Sequence, residues 1–398
     1  MGLTRRTMLP SAAARARDMP TLKIGRLSDM RGPYKDLAGP GAVAAVNQAQ
    51  EEYGLSGKGM KVEVLSADHL NKPDIGSTVA RQWFDRDGVD LIVDVANSGV
   101  ALAVAGVAKE KDKVCVNPSA ATSDLNGSAC NANTIHWVYD TYMLAKSTGG
   151  AMVKAGGESW LFITANYAFG KASRRGTTNF VSGAGGKVLG SVAYPFPGRS
   201  DFASYLIDAQ ASGAKVRGLA NAGTDTINVT RQAKEFGVTA KMRLAGLLLF
   251  LTDIDSLGLE IARGIMLTDS FYRDMNERAR AFSNRLSPKI GGARPTMAQA
   301  GVYSSALHDL KTASVMGRIK LDGAATIRRM KKIPANDDCV GPGTIRADGR
   351  EPHPAYPWEV KKPSESKGAW DYYKPLAITP ADQAFRPLDP GACPLVET

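Results

Sequence analysis

From Leu22 to Val116, short apolar or β-branched runs alternate with amphipathic helical patterns, a rhythm that few folds accept. Leu22–Leu27 alternates like a strand. A helix follows from near Gly39-Pro40 to Gly54, with Val43, Val46 and Ala49 on one face. Lys61–Leu65 reads as the second strand. Asp74 then caps a helix running to Phe84, and Arg86-Asp87-Gly88 ends it. Leu91–Val95 is the third strand, Val100–Lys111 the third helix, and Val114 opens the fourth strand. A β-α-β-α-β-α-β order calls for a parallel sheet with helices on both faces. Strands buried on both sides read as continuous apolar runs, as Leu91–Val95 does.

Two of these strands end in unusual loops. Val114–Asn117 meets Pro118 and then six small or polar residues, Ser119 to Asp124. Such residues turn sharply and leave N–H groups and hydroxyls facing open space. The Leu91–Val95 strand ends in Ala96-Asn97-Ser98-Gly99. Neighbouring parallel strands that release such loops at their carboxyl ends form a ligand crevice. Ser98, Gly99, Ala120, Ala121 and Thr122 suit a carboxylate or another anionic oxygen. Ordinary capping of the next helix is the competing reading of the same residues.

Thr134–Tyr139 looks like a crossing strand, after which the pattern restarts. Helices at Tyr142–Ala155, from the Ala165–Gly170 loop to Gly183, and at Phe202–Ser212 alternate with strands at Ser159–Thr164, Val188–Val192 and Val216–Ala220. Ala220-Asn221-Ala222-Gly223 repeats the Ala-Asn-small-Gly ending of Ala96–Gly99. Two similarly wound lobes would then set their ligand loops face to face across a cleft. In that cleft Tyr167 and Tyr272 either close over a ligand or pack as half-buried tyrosines. Asp225, just after Asn221, either pairs with a ligand ammonium or caps the helix from Thr226. Leu244–Leu251 and Gly264–Thr268 read as strands, and Asn276–Leu286 and Thr296–Met316 as helices. Pro334–Asp338 reads as a loop, and Trp358–Lys361 with Trp370–Tyr373 as a terminal hairpin. The last twenty residues, with four prolines, wrap the surface.

The chain has 398 residues, 43% of them hydrophobic, enough for two domains with cores. Its +11 charge is dispersed, with no basic run beyond Arg328-Arg329 and Lys331-Lys332. That argues against nucleic acid. The four histidines are isolated and no cysteine pair has C-x-x-C spacing, so no metal site is expected. Cys115 reads as a buried hydrophobe, His69 as a surface loop residue and His136 as structural. Cys130 and Cys393 lie in loops and are candidates for a disulfide in an oxidising compartment. No nucleophile elbow, phosphate loop or dinucleotide fingerprint is present. Gly183-Ala184-Gly185-Gly186-Lys187 reads as a helix-ending turn. A binding protein without cofactor or catalysis is expected. Thr4–Leu9 resembles the start of a twin-arginine export signal, but Arg15 and Arg17 interrupt its apolar core, so residues 1–20 read as a degenerate leader or disordered arm.

Several stretches carry a family resemblance: Leu22–Gly32, Gly39-Pro40-Gly41, Asp68-His69 with Asn71-Lys72-Pro73, Pro118–Thr122, Asn166–Gly170 and Thr344–Gly349. In this order they resemble the substrate-binding proteins of branched-chain amino-acid-type ABC transporters, the type I periplasmic binding proteins, over about residues 21–395. The resemblance implies two doubly wound parallel-sheet lobes, joined by three crossovers, that close like a jaw. It implies lobe 1 at 21–139 plus about 271–335, lobe 2 at 140–270 plus about 336–380, and a tail at 381–398. It implies that Ser98, Ala120 and Thr122 hold a ligand carboxylate and that Tyr167 covers the ligand. Asp225 is one candidate for the acid that faces an ammonium, while apolar Leu247–Phe250 stands where an acid is also expected. The nearest subgroup is associated with aromatic carboxylates, other small organic acids and amides. A periplasmic monomer that delivers a small ligand to the membrane permease of an ABC importer is the implied role. A sensory protein, or an enzyme using the same cleft through His69, Asp29 and Asp225, are the rivals.

Overall fold

The computed structural model describes residues 19–240, 242–317, 322–389 and 392–397. The leader-like stretch therefore lies, up to residue 18, outside the described residues. Strands β1 (Thr21–Ser28), β2 (Lys61–Asp68), β3 (Leu91–Val93), β4 (Val114–Asn117) and β5 (Thr134–His136) form one sheet in the order β2-β1-β3-β4-β5. Every pairing in it is parallel. The helices α1 (Gly39–Tyr53), α2 (Pro73–Gln82) and α3 (Ser98–Glu110) connect its strands. Each starts where local chemistry dictates. Proline stands in the first turn of α1 and α2. The Asn97 side chain accepts from the Gly99 and Val100 N–H groups at 2.9 and 3.1 Å to cap α3.

The second sheet holds β6 (Ser159–Ala165), β7 (Lys187–Tyr194), β8 (Val216–Ala220), β9 (Arg243–Gly246) and β10 (Met266–Asp269), all parallel. Helices α4 (Thr141–Lys154), α5 (Ala168–Gly183), α6 (Ala203–Ala211), α7 (Thr224–Glu235), α8 (Leu251–Leu257) and α9 (Leu259–Ala262) belong to this lobe. The chain then returns to the first lobe with α10 (Glu277–Leu286), α11 (Met297–Met316) and α12 (Gly323–Met330). Helix α11 is buried along most of its length because it packs on α1 and the first sheet. A hairpin of β11 (Ala335–Asp337) and β12 (Gly341–Gly343) follows. Antiparallel β13 (Tyr356–Val360) and β14 (Tyr373–Pro375) then extend the second sheet, and α13 (Ala381–Ala384) lies in the tail.

Four expectations need correction. The Leu244–Leu251 run is not one strand: β9 stops at Gly246, and the Asp253 carboxylate accepts the Phe250 N–H at 2.9 Å, starting α8. Pro334–Asp338 is not a loop, because Asp337 accepts the Cys339 and Val340 N–H groups and turns the chain into the β11–β12 hairpin. That hairpin lies with the first lobe, where Ser304 donates to Asp337 at 2.7 Å, so the second lobe is rejoined near Tyr356 rather than at 336. His69 is fully buried, and burial lowers its pKa to about 4.

The chain crosses between the lobes after β5, after β10 and after β12. Buried Arg350 ties two of these crossings together. It pairs with Asp140 at 3.3 Å, donates to the carbonyls of Trp137 and Val138, and lies over the Phe385 ring. Arg386 donates to the Ser123 and Asn126 carbonyls, and Cys130 and Cys393 form a disulfide, so the tail straps the same region.

Candidate functional site

The pocket lies where the carboxyl ends of β1, β3 and β4 face those of β6 and β8. Its floor comes from the loops singled out in the sequence. The Asn117 side chain accepts the N–H groups of Ser119 (3.3 Å) and Ala120 (2.9 Å). Tyr139 donates its hydroxyl to the Ser119 carbonyl at 2.6 Å, and the His136 ring meets the Ala120 carbonyl at 2.7 Å. The Ser98 hydroxyl accepts the Thr122 N–H at 3.2 Å and so joins the two loops. Ser98 also opens α3, whose N-terminal amides carry partial positive charge. The Ser119 hydroxyl is buried in the wall of the pocket and has no hydrogen-bond partner.

A second wall is the loop between β1 and α1. The Asp29 carboxylate accepts the Gly32 N–H (2.6 Å), the Tyr34 N–H (2.8 Å) and the Asn71 amide (2.7 Å). Asn71 in turn accepts from Asn97 at 3.1 Å, so one chain of hydrogen bonds sets both Tyr34 and the start of α3. From the other lobe come Tyr167, Phe169, Ala222 and Leu248. The hydroxyls of Tyr34 and Tyr167 touch across the cleft. Phe196 stacks on both rings, with centroids 4.3 Å from Tyr167 and 5.5 Å from Tyr34. The free volume of this pocket is about 10 Å³, room for no more than one water molecule, so a larger ligand fits only when Tyr34 and Tyr167 part. No charged side chain lines it.

The expected site residues divide. Ser98, Ala120, Ala121 and Tyr167 line this pocket. The Gly99 N–H is taken by Asn97, and Gly99 is not in the lining. Thr122 is also set back, because its hydroxyl accepts the Asp124 N–H and caps the turn at Ser123–Asn126. Asn221 accepts the Thr226 hydroxyl at 2.7 Å within its own lobe. Asp225 lies behind the tyrosines and accepts the Tyr194 hydroxyl at 2.8 Å. Burial pushes its carboxyl up to about 6, partly offset by that bond. Tyr272 is elsewhere: its hydroxyl donates to the Trp370 carbonyl at 3.0 Å and its ring packs on Trp358 and Tyr373. Sequence reading missed Tyr34, Ser119 and Tyr139. Ser119 stands inside a stretch already marked as a loop, and only the fold shows that its side chain turns inward.

Among the described residues no group of three or more His, Cys, Asp or Glu is arranged to hold a metal ion. No helix among them is long and apolar enough to cross a membrane.

A family model described as periplasmic binding protein matches residues 21–369. The chain is similar to a periplasmic binding protein from Burkholderia mallei, at 44% identity and a TM-score of 0.88 over 92% of this chain and 96% of that one. It is also similar to a branched chain amino acid ABC transporter periplasmic ligand-binding protein from Burkholderia xenovorans, at 37% identity and a TM-score of 0.79 over 92% and 97% of the two chains. A Leu/Ile/Val-binding protein of Rhizobium johnstonii is 32% identical over 107 residues, a stretch spanning 26% of this chain and 28% of that protein.

Proposed function

The chain belongs to the periplasmic binding protein family, and on that premise we propose that it is the monomeric receptor of an ABC importer, closing on a small carboxylate-bearing ligand and handing it to a membrane permease. One observation carries the ligand class. The unpartnered Ser119 hydroxyl, the Ser98 hydroxyl and the amino end of α3 converge on one side of a pocket whose other walls are aromatic and aliphatic. Neutral hydroxyls at the positive end of a helix hold a carboxylate without a counter-cation, and the apolar walls accept an aromatic or branched body. The Tyr34–Tyr167 contact supports a closed jaw, since the two residues belong to different lobes.

A second reading, an α-amino acid, is favoured by Asp225, a buried carboxylate behind the Tyr167 wall. Its oxygen is held by Tyr194, so an ammonium group would reach it only by rearranging that tyrosine. A catalytic role draws no support from the three titratable groups weighed for it. Asp29 is saturated by loop amides, buried His69 is kept neutral, and neither they nor Asp225 line the pocket.

The test is a thermal-shift screen against aromatic acids, short aliphatic acids, amino acids and amides. A ligand that binds only the folded state raises the melting temperature. Shifts with benzoate-like acids and none with leucine support the first reading. Shifts with leucine or valine that vanish in Asp225→Asn support the second. Shifts with amides alone overturn both.

A further inference from the structure

The two lobes also meet through their backbones, at the contact of Pro33 with Thr224. Helix α7 begins at Thr224, and its N-cap is Gly223, which has no side chain to offer the free amides of the first turn. The carbonyl that serves them comes from the opposite lobe. Pro33, in the loop between β1 and α1, accepts the Thr224 N–H at 3.1 Å and the Thr224 hydroxyl at 3.3 Å. Pro33 is well placed for this, because Asp29 fixes the amides on both sides of it, Gly32 and Tyr34.

Gly223 is what allows the approach. A Cβ at that position would stand 2.2 Å from the Pro33 oxygen and 3.0 Å from the Tyr34 ring. Its φ of 59° and ψ of −137° are also a glycine conformation. An ion pair over the cleft, Arg175 to Asp124 at 3.0 Å, is solvent-exposed and contributes little. The carbonyl contact instead places an oxygen on the positive end of a twelve-residue helix.

We propose that the Pro33 carbonyl is an inter-lobe cap for α7, a latch that forms only on closure and stabilises the closed form whatever the ligand. The latch rests on the hinge reading above and goes beyond it: part of the drive to close is built into the protein, and Ala222, which lines the pocket, sits directly beside it. Ligand then adds to a closing equilibrium that already favours closure more than the pocket alone would.

Thr224→Pro tests this. Proline suits the first position of a helix, so α7 is retained, but it removes both donors and sets a ring against the Pro33 oxygen. Spin labels at Lys72→Cys and Lys171→Cys, both exposed and on opposite lobes, report the inter-lobe distance by double electron–electron resonance. Without added ligand, the closed-to-open ratio should fall by about tenfold in Thr224→Pro, the effect of roughly one net hydrogen bond. Thr224→Ser, which keeps both donors, should restore the original ratio and the parent melting temperature, while Thr224→Pro should melt slightly lower because the populated closed form has lost its latch. Equal ratios in the parent and Thr224→Pro, with both populations visible, would overturn the latch while leaving the hinge intact. A single unmoving distance in both would overturn the hinge reading and the latch with it.

Discussion

Ser119 keeps a hydroxyl buried at the pocket wall without a partner, and leaving such a group unpaired costs about 1–3 kcal/mol. A ligand oxygen removes that cost, so Ser119→Ala should weaken binding of a carboxylate by roughly that amount in calorimetric titration, while the unliganded melting temperature rises because the unpaired hydroxyl is gone. Unaltered affinity would remove Ser119 from the site. Thr122 predicts the opposite pattern. Its hydroxyl caps a turn, so Thr122→Val should lower stability by about 1 kcal/mol in urea unfolding and leave affinity nearly intact. Asp225 sets a pH dependence. Its folded pKa, about 6, lies above the ordinary 3.8, so the folded chain binds the extra proton. The associated stability is full below pH 4 and is lost as pH rises from 4 to 6. Asp225→Asn never ionises, so it should be more stable than the parent at pH 7, by on the order of 2 kcal/mol, and the gap should close as pH falls to 4. A gap that is constant with pH would place Asp225 in water. Of these residues, Ser98, the Ala120-Ala121 pair and Tyr167 were legible in the sequence because their loops follow strand ends. Ser119 and Thr122 were not separable, since neighbours in an irregular loop point in directions that only Asn117, Tyr139 and Asp124 decide.

At the scale of elements, the alternation of strands and helices was legible through most of the chain, because buried parallel strands and capped helices leave continuous and periodic patterns. It failed where one side chain redirected the backbone. Asp253 turned the end of an apolar run into α8, and Asp337 folded an expected loop into a hairpin. The tail was readable only as a wrapping segment; its partners, at the crossings after β5 and β12, lie far away in sequence. The disulfide from Cys130 to Cys393 closes a loop with a sequence separation of 263, and the Phe385 ring and Arg386 add packing and carbonyl bonds beside it. Cys393→Ser should therefore lower stability by about 2–4 kcal/mol, and reductant should destabilise the parent but not the variant. No change in either comparison would contradict the strap.

At the scale of the molecule, two sheets with facing carboxyl ends make one pocket, and neither lobe completes it alone. Lobe 1 supplies the Ser98 and Ser119 hydroxyls, lobe 2 supplies Tyr167 and, from the start of α5, Phe169, and Tyr34 meets Tyr167 where they join. On the proposed reading the ligand is gripped by its acid group through the Ser98 and Ser119 hydroxyls, because no charged side chain lines the cavity to do so. The most direct measurement is a calorimetric titration with matched pairs, benzoate against benzamide and leucine against leucinamide. The account predicts heat of binding for an acid and none for its amide, because only a carboxylate offers two acceptor oxygens to the Ser98 and Ser119 hydroxyls and no donor that the pocket must satisfy. Equal or tighter binding of the amide would contradict it.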